Sequence, residues 1–556
     1  MSTKISLQTR PVNRVVAPSP PKIRLTEDET RLCELLNQCT QHLQQHKDIS
    51  TTCRIAGGWV RDKLLGHDSN DIDIALSNIM GLPFAEHLAE FAKTKGIATG
   101  TIAKIAQNPD QSKHLETATL KLYGLDIDLV NLRSEEYAEN SRIPTGVSFG
   151  TPLEDAKRRD ITINALFYNV HTHSVEDFTE KGLDDLRDGL IRTPLPPKET
   201  FKDDPLRVLR CVRFASRFGF DLVDEISSAA KDPVIQDALV TKVTRERVGV
   251  ELSKMLKGRD PLRSIELIHQ LSLFTPIVSA LPSEILATLS NRPKDPELAR
   301  RNATVLSLLL DPIDDQIPPL HPIYYRYLRA DATTRARLYL ASFLTPYLSL
   351  TYLDKKRKAL PAVEAVIREA LKLGTQNHFL DGVPFLFSAV PKVRQFLLEY
   401  PTFYTEHKRS RIGMFLRHKN IHHLNAGVHW SSSFLFSLVT EMGELYDLNA
   451  DKLDVDRASA LVERYNQFAT LVEELELYDA GEMRPLLDGR EVSTALGAKK
   501  GGPWLAEALS KVVEWQLDNP QQNKEQCTAW LKREREEGRI QIDELVEPTS
   551  KRPRKK

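Results

Sequence analysis

The chain changes character once along its length. From about residue 50 to 190, short β-branched runs alternate with helical stretches. Thr52–Ala56, Asp71–Leu76, Thr117–Tyr123, Asp126–Leu132 and Asn164–Val170 read as strands, and Val175–Phe178 as a hairpin-like return after the last. Beyond about Thr200 strand signals fade and apolar residues recur at helical spacing to about Gly538. Pro-rich breaks at Arg292–Pro296 and Asp311–Pro322 separate helical units. A chain of 556 residues has room for several cores. The reading is α+β: a head with a small mixed sheet, then a long all-helical arm.

Composition excludes more than it identifies. Lys plus Arg and Asp plus Glu both number 76, so an anionic partner must be met by local patches. No apolar run approaches the ~20 residues that cross a bilayer. The five cysteines are scattered, odd in number and lack a CxxC pair, which reads as reduced thiols. His418, His422 and His423 lack companion ligands at zinc spacing, so no zinc site is expected.

The ends are basic. Met1–Arg24 carries no acidic residue, as mitochondrial presequences do, but Pro11, Pro18, Pro20 and Pro21 break a helix there; a presequence and a plain disordered arm both stay open. Lys551–Lys556 reads either as a nuclear-import signal or as a solvated tail.

Chemistry concentrates in two stretches. The first runs Arg54-Ile-Ala-Gly57-Gly58-Trp-Val-Arg61-Asp-Lys-Leu-Leu-Gly66 and on to Asp71-Ile-Asp73-Ile-Ala-Leu76. Gly57 and Gly58 at a strand-to-helix turn let the backbone approach a bulky anion; a helix start favours phosphate, and Arg61 lies one turn inside. Asp71 and Asp73, two apart on a strand, share one face. Adjacent carboxylates repel unless a cation sits between them, and hard oxygen ligands beside substrate phosphates suit Mg²⁺. Asp128, in another strand, is a candidate third carboxylate. Together they suit two-metal nucleotidyl transfer.

The second stretch begins at Thr151-Pro-Leu-Glu154, a capping box, and continues through Arg158, Arg159 and Asp160 to Asn164. Arg158 and Arg159 are candidates for phosphate and Asp160 for a ribose hydroxyl. Then Asp203-Asp204-Pro205-Leu206-Arg207 opens a helix expected to start at Pro205, capped by Asp204 and stopped by Gly219. Arg207, Arg210, Arg213 and Arg217 recur on one face. Asp204 beside Arg207 would pair an acceptor with a donor. Cytosine and adenine show the complement on their Watson–Crick edge, and uracil and guanine the reverse.

Taken together, GGWVRDKLLG…DIDIAL, RRDITINAL, EDFTEKGLDDLRDGLIRTP, DDPLRVLRCVRFASRFGF and TRERVGVELSKML resemble, in order over residues 54–255, the class II CCA-adding enzymes. These are tRNA nucleotidyltransferases of eukaryotic-like type in the DNA polymerase β-like superfamily. The resemblance implies a nucleotidyltransferase head followed by all-α neck, body and tail. It also implies addition of C, C and A to the 3′ end of tRNA from CTP and ATP without a nucleic-acid template. By position it gives Asp71 and Asp73 the metal; Asp128 stays the candidate third catalytic carboxylate read from its strand. Gly57, Gly58 and Arg61 take the triphosphate, and Arg158, Arg159, Asp160 and Asn164 the ribose and nucleotide. Asp203, Asp204, Arg207 and Arg210 read the base. Many members carry Glu where this chain has Asp203. The span Arg133–Gly150 matches a flexible loop, Asp177–Asp184 a segment joining head to neck, and Thr244–Glu251 a helix supporting the base reader.

The expected layout is a basic arm over 1–30, head 31–195, neck 196–275, body 276–425, tail 426–540 and a basic end 541–556. Lys355–Lys358, Lys408–Arg411 and Lys499-Lys500 are candidate RNA contacts. A monomer is expected, off the membrane, in cytoplasm, nucleus and mitochondrion. The alternatives are a poly(A)- or partial CCA-adding enzyme, or a non-catalytic tRNA-binding protein.

Overall fold

The computed structural model describes residues 4–5, 14–19, 21–105, 117–137, 144–312, 316–403, 408–498 and 502–542. The chain forms two compact units. One comprises residues 10–289 with 365–373; the other comprises 1–9, 290–364 and 374–556.

The first unit carries the predicted sheet. In spatial order its seven strands are Ser174–Glu176, Phe167–Asn169, Cys53–Ala56, Asp71–Leu76, Leu125–Asn131, Thr117–Leu122 and Ala103–Ile105. The sheet is mixed: Asp71–Leu76 runs parallel to Leu125–Asn131, and the other pairings are antiparallel. Period-2 alternation explains the layering. Ile72, Ile74, Ile127 and Leu129 are buried on one face, and the intervening aspartates point to the other. Helix Glu27–Lys47, opened by a Thr26 capping box, buries Leu32, Leu36 and Leu43. Trp59 donates to its Glu29 at 3.0 Å and Lys63 pairs with the same carboxylate at 2.9 Å, tying the helix after the glycine turn to this scaffold.

Several expectations shift. Asn164–Val170 contracts to a strand of Phe167–Asn169, because Thr162–Asn164 coils into a 3₁₀ turn. The span 133–150 contains two antiparallel strands, Arg133–Tyr137 and Pro144–Phe149; 138–143 lie outside the described residues. The arginine helix begins at Leu206, one residue late, with Asp204 closing the preceding helix Pro197–Asp203. Part of the basic arm is ordered, against the disordered-arm reading: Val15 donates to the Phe218 carbonyl at 2.8 Å, and Arg14 lies over the Phe220 ring.

The second unit is mainly helical around helices Phe379–Glu399 and Trp430–Gly443, where Phe387 stacks on Phe436 at 5.6 Å. It is not all-α. Lys452–Asp454 pairs antiparallel with Tyr446–Asp447 and with Lys4–Ile5, and Thr351–Leu353 pairs with Ala359–Pro361. These runs of two or three residues are too short to give a period-2 signal. Lys499-Lys500 and Lys551–Lys556 lie outside the described residues. All five cysteines are free and buried. No described helix is long and apolar enough to cross a membrane.

Candidate active site

Every element of the site belongs to the first unit. At the turn after Cys53–Ala56, Gly57 takes φ +74°, a region that favours glycine; a Cβ there would lie 2.7 Å from Arg159 Nη1. Helix Gly58–Leu64 follows, and its first-turn amides have no partner within the helix. Arg61 has another occupation than the phosphate contact expected of it. It is buried, donates from Nε to Asp62 at 2.8 Å and from Nη1 to Asn164 Oδ1, and packs against the Phe214 and Phe218 rings. Burial lowers its pKa, partly restored by Asp62. Arg61 therefore braces the turn from beneath.

Parallel register sets Asp73 directly beside Asp128 and Asp71 beside Asp126. Carboxylate oxygens of Asp71, Asp73 and Asp128 lie within 4.8 Å of one another, the one such group of potential metal ligands among the described residues. Asp71 is exposed and the other two half-buried. Thr119 donates to Asp128 Oδ1 at 2.7 Å and orients it. Asp126 is exposed, 3.5 Å from Lys121. Burial, then the charges of Asp71 and Asp128, push the Asp73 carboxyl up to about 6, against the pull of Arg159. Three carboxylates this close supply the oxygen donors that a cation could bridge.

The Arg-Arg-Asp stretch is a braced corner. Arg158 and Arg159 both pair with buried Asp155, at 2.5 and 2.9 Å, and Arg159 Nη1 reaches the Asn164 carbonyl at 3.1 Å. Asp160, expected to meet a ribose, is buried. It accepts from Arg210 Nε at 2.6 Å and Asn164 Nδ2 at 3.0 Å. Burial opposes its ionisation, but Arg210 and Asn164 outweigh it and hold the carboxyl down at about 2. Asn164 thus joins Arg61 to Asp160. Asp160→Asn should cost about 2 kcal/mol of stability above pH 4, since it leaves Arg210 only the more distant Glu251 carboxylate at 3.9 Å. The wild-type advantage is present above the unfolded value of 3.8 and lost as pH falls towards 2; thermal unfolding of both proteins at pH 7 and pH 3 checks this.

The arginine face is not free for phosphate. Arg210 takes Asp160, Arg213 takes Glu251 at 2.5 Å and Arg217 takes Asp62 at 3.4 Å. Arg207 is buried and donates to the carbonyls of Arg158 at 2.6 Å and Thr200 at 3.4 Å. Asp204 accepts from the Leu206 amide at 3.2 Å and pairs with Arg247 at 2.6 Å. Asp204 and Arg207 therefore flank one helix start, each held by a different neighbour. Beside them opens a cleft of about 510 Å³ lined by Leu206, Arg210, Thr244, Arg247, Val250 and Glu251, large enough for a base.

Sequence reasoning missed two acids that do the holding, Asp62 and Asp155, and named Arg247 and Glu251 only within the supporting helix. All but Asp62 had a signal. Asp155 stands three and four residues before Arg158 and Arg159, and Arg247 and Glu251 are one helical turn apart. The joining segment behaves as a structured turn. Asp177 accepts from Thr179 and Leu183 amides at 3.1 and 3.0 Å, and a Cβ on Gly182 would lie 2.7 Å from the Thr162 carbonyl.

The poly A polymerase head domain family model matches residues 53–192, and a probable RNA and SrmB-binding site of polymerase A matches 233–284. The mitochondrial CCA tRNA nucleotidyltransferase of Saccharomyces cerevisiae is 37% identical over 92% of this chain and 94% of its own length. The chain belongs to the CCA tRNA nucleotidyltransferase family. The Candida glabrata mitochondrial member is likewise 37% identical, over 92% of this chain and 96% of its own. A solved CCA-adding enzyme in an apo form shares the fold with a TM-score of 0.59 at 20% identity, covering 91% of this chain and 96% of that one. As a member of the family the chain is an enzyme, and its braced corner and carboxylate edge are the parts of the head that the family match spans.

Proposed function

We propose that this enzyme adds C, C and A to the 3′ end of tRNA from CTP and ATP. The observation that carries the reading is the carboxylate group Asp71, Asp73 and Asp128 on the two central strands of the sheet, beside the strand that leads into the Gly57 turn. The names of the relatives that match nearly end to end support the substrate.

Three oxygen donors without nitrogen or sulfur fit Mg²⁺. Asp71 and Asp73 would hold it, with Asp128 as the third carboxylate. When bound, the ion acidifies an attacking hydroxyl and neutralises a leaving pyrophosphate. The chain's own residues do the rest. The Gly57–Gly58 backbone receives the triphosphate. Arg158 and Arg159, fixed by Asp155, face the nucleotide; Asp160, Asn164 and Arg61 keep that corner rigid. Asp204 supplies an acceptor and Arg207 a donor to the incoming base, with Asp203 and Arg210 beside them. A base with the reversed pattern leaves two buried groups unpaired, at about 1–3 kcal/mol each. The nucleophile is the RNA 3′-hydroxyl. The enzyme acts as a monomer, in mitochondria as the relatives' names say of them, with a nuclear pool served by Lys551–Lys556 and a cytoplasmic pool beside it.

The decisive experiment incubates tRNA lacking its 3′ end with each labelled nucleotide in Mg²⁺. CMP then AMP incorporation, with UTP and GTP refused, is expected. AMP runs alone would identify a poly(A)-adding enzyme, as the description of the head family suggests. Binding without incorporation would leave a tRNA-binding protein.

A further inference from the structure

Several arginines of the helical unit are spent internally. Arg337 donates to the Gly427 carbonyl, Arg409 to that of Leu475, Arg417 to those of Ala480 and Met483, and Arg535 to that of Leu496. Lys408–Arg411, read as a candidate RNA contact, is thus partly structural.

The hairpin Thr351–Leu353/Ala359–Pro361 differs. Its tip is Asp354-Lys355-Lys356-Arg357-Lys358, the one run of four consecutive basic residues among those described. All four side chains are exposed, and no carboxylate among the described residues pairs with any of them. The tip is also built. Asp354 Oδ1 accepts from the amides of Lys356 and Lys358 at 2.8 and 2.7 Å. The Asp354 amide donates to the Lys358 carbonyl at 3.0 Å, the Arg357 amide donates to the Asp354 carbonyl at 2.8 Å, and Arg357 takes a positive φ of 59°. The only carboxylate in the loop is turned inward to fix the backbone, while four cations are left outward on a closed turn. Preorganised cations lose little backbone entropy on meeting a polyanion.

We propose that this tip is a docking point for the phosphodiester backbone of RNA. The choice of RNA over another polyanion rests on the proposed tRNA substrate. The charges are sequence-independent readers: they add affinity and position, and carry no base information.

The test uses the full chain and a triple variant, Lys355→Ser/Lys356→Ser/Arg357→Asn, which keeps Asp354 and a residue tolerant of positive φ at 357. A second variant, Lys355→Arg/Lys356→Arg, keeps charge. Binding of tRNA lacking its 3′ end is measured across a salt series. The triple variant should bind about tenfold more weakly at low salt, with a log–log salt slope shallower by about two to three, at roughly 0.7–0.9 for each of three lost phosphate contacts. Its KM for CTP and its kcat at saturating tRNA should stay at wild-type values, and the arginine variant should bind as wild type does. Unchanged affinity and slope in the triple variant, alongside normal wild-type CMP incorporation, would overturn the docking point alone. Loss of binding to anionic vesicles with tRNA binding intact would also overturn it, in favour of a lipid partner. Failure of the wild type to incorporate any nucleotide would instead overturn the function on which the proposal rests.

Discussion

Asp73→Asn is expected to abolish nucleotide incorporation and, in the absence of divalent ion, to make the protein more stable. The two effects have one cause. Asp73 sits in register with Asp128 and two residues from Asp71, and its carboxyl is pushed up to about 6 by burial first and then by those charges. The native state therefore binds its proton more tightly than the unfolded chain, whose value is near 3.8. Without metal, stability falls as pH rises from about 4 to about 6 and stays lower above that range. The asparagine variant lacks this slope. At pH 8 in chelator it should be about 1 kcal/mol more stable, a figure trimmed for solvent screening at the strand edge. Mg²⁺ should stabilise the wild type at pH 8, weakly at pH 5, and the variant hardly at all. A cation held by fewer charges forfeits several kcal/mol of transition-state stabilisation, or about 10³-fold or more in rate. Calorimetry in chelator and in Mg²⁺, with single-turnover CMP incorporation, reads all of this. Retained turnover, or a variant less stable than wild type in chelator, would remove the metal assignment.

How much of this was legible in the sequence depends on how local the physics is. Asp71–Leu76 was found to the residue, because alternation and flanking breakers define it within six positions. The capping box at Thr151 and the glycine stop at Gly219 were legible for the same reason. Asp128 was legible as a candidate third carboxylate on another strand but not as the neighbour of Asp73, since that place depends on a parallel pairing across 55 residues of chain. The arginine helix shows what pattern alone cannot say. Four arginines on one face read as an anion surface. The acids that neutralise three of them, Asp62, Asp160 and Glu251, come from three other elements, and backbone carbonyls take Arg207. Arg61 misled in the same way: its spacing points into the turn, but the Asn164 and Asp62 acceptors that claim it are fixed by tertiary packing.

That packing decides which variant best tests base choice. Removing Arg207 would also bare the Arg158 and Thr200 carbonyls, so lost activity would report folding as much as reading. Asp204→Asn is cleaner. It keeps the side chain's size and an oxygen for the Leu206 amide, and replaces one acceptor by a donor. The Arg247 partner loses a charge, but Asp204 is half-buried and the pair is partly exposed, so the fold should hold within about 1 kcal/mol. Against cytosine and adenine the new amide opposes their amino donors; against uracil and guanine it meets a carbonyl. At about 1–3 kcal/mol per mismatched group, kcat/KM for CTP and for ATP should fall roughly 10- to 100-fold, and preference for CTP over UTP should shrink by a similar factor or more. The KM for tRNA should not move, because the change lies in the first unit's base cleft and removes no cation. Competition between labelled CTP and UTP at equal concentration reads the ratio directly. An Asp204→Asn enzyme that unfolds normally yet refuses UTP as firmly as the wild type would show that choice of base is made elsewhere than at this helix start.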